Sequence, residues 1–194
     1  MASTSPQPSD RNPHRVFGYG SLLDPDSIGR TLERSMSQED IVPASLAGYV
    51  RRWNVASDQS TVSRGYVDGS GERWLGHIVF LGIEPMPGGT VPGGLVAVSD
   101  AELGRLDRRE RNYDRIIVEV ELADGSSVEA QTYLPSDPAK PPFDPATTVV
   151  RADYVELVDH ALARLYPDYT LGTVYDELPA GAPTAELALR QAAN

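Results

Sequence analysis

The chain reads as an α+β domain built around a largely antiparallel sheet, one that can close on itself. Three observations carry this. Strand and helix patterns mix without the regular strand–helix–strand rhythm of a doubly wound parallel sheet. The segments 113–122 and 127–134 alternate strongly between apolar and polar residues, and the turn Ala-Asp-Gly-Ser between them makes an antiparallel hairpin. The segment 152–167 places Tyr154, Val155, Val158, Leu162 and Leu165 on one stripe at helical spacing.

The remaining elements follow in order. Residues 1–14 are polar and proline-bearing and read as a disordered arm; they lack the basic-then-apolar pattern of a signal peptide. A single domain is expected over 15–194, because 194 residues suffice for one core and are short for two. "RVFGY" reads as a short buried strand. Asp24-Pro25 then starts a helix, Asp as N-cap and Pro in the first turn, running to about Ser35 with Ile28 and Leu32 inward. Residues 44–57 read as a strand bent near Gly48, and 58–72 as a loop. Residues 74–84 form a strand, "PMPGG" (85–89) turns the chain, and 93–99 form a second strand. Ser99 caps a helix, with Glu102 completing a capping box and Leu103 and Leu106 on its inner face. The proline-rich stretch 135–147 reads as a lid or an ordered surface loop. The last residues, 183–194, favour a peripheral helix.

Composition removes several function classes. The net charge of −11 repels phosphate backbones and anionic lipid, so neither nucleic acid nor a membrane surface is an expected partner. The longest apolar runs, such as "HIVFLGI", are too short to span a bilayer. With no cysteine, disulfides, thiol nucleophiles and cysteine-ligated metal are excluded, which is compatible with a cytoplasmic protein. His14, His77 and His160 show no paired metal-ligand spacing, so no metal and no cofactor is expected. No apolar stripe stands out as an interface, and a monomer is the default.

"VFGYGSLLDPDS" (16–27) is the stretch that invites chemistry. A dinucleotide fingerprint needs a third glycine where Leu23 stands, and the Lys of a P-loop is missing. A serine nucleophile elbow needs Gly-x-Ser-x-Gly, and Ser21 has leucines after it and no placed histidine base. Two readings remain. One is an anion cradle, with the amides of Gly20, Ser21 and Leu22 as donors, since Asp24 and Asp26 already occupy the positive end of the helix. The other, commoner one is a tight strand-to-helix turn packed by Phe17 and Leu22. "RLDRRERNYDR" (105–115), taken alone, is a charged helix end with surface ion pairs.

Taken together, "FGYGSLL" (17–23), "LAGYVRRWNVAS" (46–57), the segment 74–99, "LDRRE" (106–110), "YDR" (113–115) and "QTYL" (131–134) resemble, in order and spacing, the γ-glutamylcyclotransferase superfamily, which includes ChaC-like and AIG2-like members. The resemblance covers about residues 15–166. It implies a mixed, small β-barrel-like sheet with flanking helices. It implies that the loop Tyr19, Gly20, Ser21 and Leu22 holds a γ-glutamyl group and that Glu110 acts as general acid and base. Tyr113 and Tyr133 are candidate hydroxyl donors to the same pocket; core positions with satisfied hydroxyls are the alternative. The departure from the family pattern is the gap after Glu110, where only Arg111 and Asn112 precede Tyr113.

The implied reaction is an intramolecular aminolysis of a small γ-glutamyl amine, amino acid or peptide, giving 5-oxoproline and a free amine. The nucleophile arrives with the substrate, so one carboxylate can serve both proton transfers. An α-ammonium and an ordinary glutamate differ by about 3.5 pKa units, which makes the first transfer uphill by about 5 kcal/mol. A water-poor pocket narrows that gap, so Glu110 is expected in a cleft with a raised pKa, away from its arginine neighbours. Arg51, Arg52, Arg64 and Arg115 are candidate partners for a substrate carboxylate. The competing reading is a family-fold protein without turnover that binds a small anionic metabolite at Tyr19–Leu22.

Overall fold

The computed structural model describes residues 14–62, 65–136, 147–179 and 182–189. Five strands form a closed circuit: β1 (His14–Gly18), β2 (Val42–Asp58), β4 (His77–Val98), β5 (Tyr113–Leu122) and β6 (Ser127–Pro135). β1 pairs parallel to β6 and antiparallel to β4, with Phe17 opposite Leu95. β6 and β5 form the expected hairpin, β5 meets β2 at Ala44–Leu122, and the long β2–β4 ribbon completes the barrel. The mixed, barrel-like sheet with flanking helices is therefore the architecture of this chain. β7 (Thr148–Arg151) and β8 (Thr184–Ala185) extend the sheet in parallel beyond β4. β3 (Tyr66–Val67), from within the 58–72 segment, pairs with β9 (Ala188–Leu189) in a separate small sheet.

The core fills the barrel and the space beneath its helices. Val16, Phe17, Leu46, Leu81, Ile83 and Val91 come from the strands. α1 (Pro25–Leu32) adds Ile28 and Leu32, and α2 (Asp100–Arg109) adds Leu103 and Leu106. α3 (Ala152–Leu165) buries the whole stripe of Tyr154, Val155, Val158, Leu162 and Leu165. Each such side chain contributes about 1.5–3 kcal/mol by leaving water. The helix starts are those the sequence encodes. Asp24 accepts from the Ser27 amide at 2.9 Å with Pro25 in the first turn, and Ser99 with Glu102 forms a reciprocal capping box. α4 (Thr173–Asp176) is a single turn that the sequence reading did not separate.

Several expectations need correction. His14, expected in the N-terminal arm, belongs to β1, and its ring bonds Asp100 at 2.7 Å; the rest of that arm lies outside the described residues. "PMPGG" does not reverse the chain. β4 runs through it as one strand, with residues 86–89 bulging opposite Gly48 between the pairs Tyr49–Pro85 and Ala47–Thr90. Gly48 and Gly88 sit at φ +80°, so the turn chemistry is spent on a bulge rather than a reversal. Near the C-terminus the described residues form β8 and β9 in place of a helix, because their backbone groups find strand partners in β7 and β3. The lid expected over 135–147 falls mostly on 137–146, outside the described residues.

Candidate active site

β1 ends at Gly18, and the chain turns through Tyr19 and Gly20 into a 3-10 turn over Ser21–Leu23. The glycines are required by close approach. A Cβ on Gly18 would lie 2.8 Å from Leu22 Cβ, and one on Gly20 would lie 3.0 Å from the Tyr154 hydroxyl. The turn closes with the amides of Leu23 and Asp24 bonding the carbonyls of Gly20 and Ser21. The Ser21 amide instead faces the Tyr154 hydroxyl. Phe17 and Leu22 do pack into the core as the turn reading expected. The same turn also lines a cavity.

That cavity, of about 460 Å³, brings together the candidate acid, the candidate turn and the two candidate tyrosines: Glu110, Tyr19, Gly20, Ser21, Leu22, Tyr113 and Tyr133. Glu110 reaches it because α2 ends there. Glu110 is the C-cap of the helix, its amide bonding the Leu106 carbonyl at 2.8 Å. The short gap is a tight link: the Tyr113 amide returns to the Glu110 carbonyl at 2.8 Å, and β5 begins at once. Arg111 and Asn112 thereby become cavity wall.

The Glu110 side chain is 15 % exposed. Burial raises its pKa above the ordinary carboxylate range, while the neighbouring Arg109 pulls it part of the way back. A carboxylate at a helix C-terminus also faces the negative end of the helix dipole, which favours the neutral acid. The expectation of a cleft and a raised pKa agrees with this geometry. The expectation of separation from every arginine does not, since Arg109 Nε lies 3.1 Å from Glu110 Oε1.

Four tyrosines surround the acid. The Tyr19 hydroxyl donates to the Tyr133 carbonyl at 2.6 Å, tying the end of β1 to β6. The Tyr113 hydroxyl donates to the Leu81 carbonyl at 2.8 Å, and the Tyr133 hydroxyl to Asp107 at 3.0 Å. So Tyr113 and Tyr133 both line the cavity and have satisfied hydroxyls. Burial raises the pKa of Tyr19, Tyr113 and Tyr133, and the charge of Glu110 adds to it in each case. Tyr154 is pushed up to about 12 by burial and by Glu110, against the Leu81 and Ser21 amides that stabilise its anion. All four are therefore neutral hydroxyls at physiological pH.

The arginines lie elsewhere than expected. Arg51 pairs with Glu177, Arg52 with Glu84, and Arg115 with Asp107, all away from the cavity wall; Arg64 lies outside the described residues. The arginines that do line the cavity are Arg30, Arg109, Arg111 and Arg151. Arg151 is held by Asp153 and by Tyr66, whose ring lies 4.5 Å below the guanidinium. Sequence reasoning also missed Tyr154, whose place in the α3 stripe marked it as core. Among the described residues lining this cavity none is a histidine, and Ser21 Oγ accepts from Arg109 at 2.8 Å. That leaves the serine-nucleophile reading without a histidine base.

Fold and site together define a class: a closed barrel with a cavity that a largely hidden acid shares with a glycine turn. The family model described as "Gamma-glutamyl cyclotransferase, AIG2-like" matches residues 16–156, and the chain belongs to this family. The Arabidopsis thaliana protein AIG2 C is 34 % identical over 129 residues, 65 % of this chain; the chain spans 64 % of that relative's length. Among solved structures, a γ-glutamyl cyclotransferase superposes with a TM-score of 0.54 at 19 % identity, covering 84 % of each chain. A yeast γ-glutamyl cyclotransferase specific to glutathione gives 0.56 at 15 % identity, covering 87 % of this chain and 96 % of the other. At these identities the two structures speak for the fold.

Proposed function

We propose that this protein is a γ-glutamyl cyclotransferase that converts a small γ-glutamyl compound into 5-oxoproline and a free amine. The observation that carries the reading is the placement of Glu110. Its carboxyl shares one cavity with the Tyr19–Leu22 turn, and burial raises its pKa toward that of a substrate ammonium. In this reading the turn holds the glutamyl chain folded, so that the α-amine meets the γ-carbonyl. Such proximity is worth about 7–11 kcal/mol in well-oriented ring closures. Glu110 takes a proton from the α-ammonium. The amine nitrogen bonds the γ-carbon and gives up its second proton, the amide C–N bond breaks, and both protons pass by way of Glu110 to the leaving nitrogen, which departs as an ammonium. The exposed Arg30 and Arg111 on the cavity wall offer cations to a substrate carboxylate.

The test is to incubate the protein with a panel of γ-glutamyl amines, amino acids and peptides and to measure 5-oxoproline. Glu110→Gln is expected to bind substrate and to lose turnover by about 10²- to 10⁴-fold, whereas Ser21→Ala retains the ability to cyclise. Loss of turnover in Ser21→Ala through an acyl-enzyme would overturn the reading. Binding without 5-oxoproline release by the unaltered protein would instead support a non-catalytic metabolite binder.

A further inference from the structure

Among the described residues, Arg109 is a cation in direct contact with both halves of the site, the Ser21 turn and Glu110. Its guanidinium is a planar fork of five N–H donors. One terminal nitrogen donates to Ser21 Oγ at 2.8 Å and Ser27 Oγ at 3.0 Å. The other donates to the Ser27 carbonyl at 3.0 Å and Thr31 Oγ1 at 2.8 Å. Nε faces Glu110 Oε1 at 3.1 Å. A single side chain, 25 % exposed, therefore spans the glycine turn, two turns of α1 and the acid at the end of α2. We propose that Arg109 is a positioning residue, clamping the Ser21 turn and the Glu110 carboxylate into one rigid unit so that acid and peptide donors meet the substrate in fixed register. This rests on the cyclotransferase reading above.

The groups facing Glu110 from the packed elements are Arg109 of α2, Tyr19 at the end of β1, Tyr113 of β5, Tyr133 of β6 and Tyr154 of α3. The tyrosines are neutral, so Arg109 is the only one of these carrying charge. A lysine would keep that charge but is a point donor that cannot span Ser21, Ser27 and Thr31 together. Charge and clamp can therefore be separated.

The experiment follows the Glu110 carboxyl by NMR in protein ¹³C-labelled at glutamate, with Glu110→Gln assigning the signal, alongside steady-state 5-oxoproline release. In Arg109→Met the Glu110 midpoint is expected to rise and kcat to fall about 10- to 100-fold. Arg109→Lys is expected to restore the midpoint without restoring kcat. Arg105→Met, one turn back on the same helix and paired with Glu33, is expected to leave both unchanged. If Arg109→Met does not fold, Ser21→Ala/Thr31→Val cuts two arms of the fork and is expected to lower kcat at an unmoved midpoint. A folded Arg109→Lys or Ser21→Ala/Thr31→Val protein with unaltered kcat overturns the clamp. An unmoved midpoint in folded Arg109→Met overturns the contact with the acid. If the unaltered protein releases no 5-oxoproline, the functional reading fails, while the titration still judges Arg109.

Discussion

At the scale of single residues, the site sets stability against readiness for chemistry. An ordinary glutamate titrates near 4.5, and burial raises Glu110 above that. The stability this group contributes is full below the ordinary value and is lost as pH rises through the raised one. Glu110→Gln cannot ionise, so its stability relative to the unaltered protein is expected to grow as pH climbs through the window above the ordinary glutamate value, read from urea midpoints. A difference that shrinks across that window would contradict the raised pKa. For the same reason the acid limb of kcat/KM is expected above the ordinary glutamate range. Gly20 has a different constraint. Gly20→Ala pushes a methyl against the Tyr154 hydroxyl and is expected to lower Tm and turnover together. Adding Tyr154→Phe removes the obstructing oxygen, and the double variant is expected to recover most of the lost Tm. Additive losses would show that the backbone, not the contact, needs the glycine.

At the scale of elements, the β2–β4 ribbon shows where local and global signals part. Gly48 sits at φ +80°, with open space where a Cβ would stand. Gly48→Ala is expected to cost about 1–3 kcal/mol of unfolding free energy from backbone strain alone, with kcat unaltered in the folded fraction. The bend at Gly48 was legible because a lone glycine inside a strand pattern has few other uses. The continuity of β4 was not. Pro85, Pro87, Gly88 and Gly89 carry real turn chemistry, and only the partner strand, paired through Ala47–Thr90 and Tyr49–Pro85 on either side, shows that the turn is a bulge. The helices were legible from their caps and stripes, since Asp24, Ser99 and the α3 stripe act locally. The C-terminal segment was not, because its alanine-rich helical propensity yields to pairing with β7 and β3. In the site, the Tyr19–Leu22 turn and Glu110 could be named only through the family resemblance, since each stretch alone reads as a tight turn or a charged helix end. Arg109 and Tyr154 could not: one stands among three neighbouring arginines, the other in a helix stripe that explains it as core.

At the scale of the whole molecule, the segment after α3 is fastened to the barrel by buried polar contacts. Arg51, 3 % exposed at its side chain, takes both oxygens of Glu177 at 2.8 and 3.0 Å. Trp53 Nε1 donates to the Val174 carbonyl at 3.2 Å, and Asp159 accepts from the Tyr169 hydroxyl and the Val174 amide. Glu177→Ala strands the Arg51 charge and is expected to cost about 3 kcal/mol, measured by chemical denaturation. A loss below about 1 kcal/mol would place Arg51 in the range of an ordinary surface pair.

The hydrogen bond from Tyr19 to Tyr133 joins positions 114 apart, and that from Arg109 to Ser21 joins positions 88 apart. No contiguous stretch of this polypeptide holds the whole pocket. If the chain is severed within 58–72, each half is expected to be silent alone, and release of 5-oxoproline should return only when the halves are mixed and reassociate. Product formation would then work as an all-or-none readout of fragment complementation.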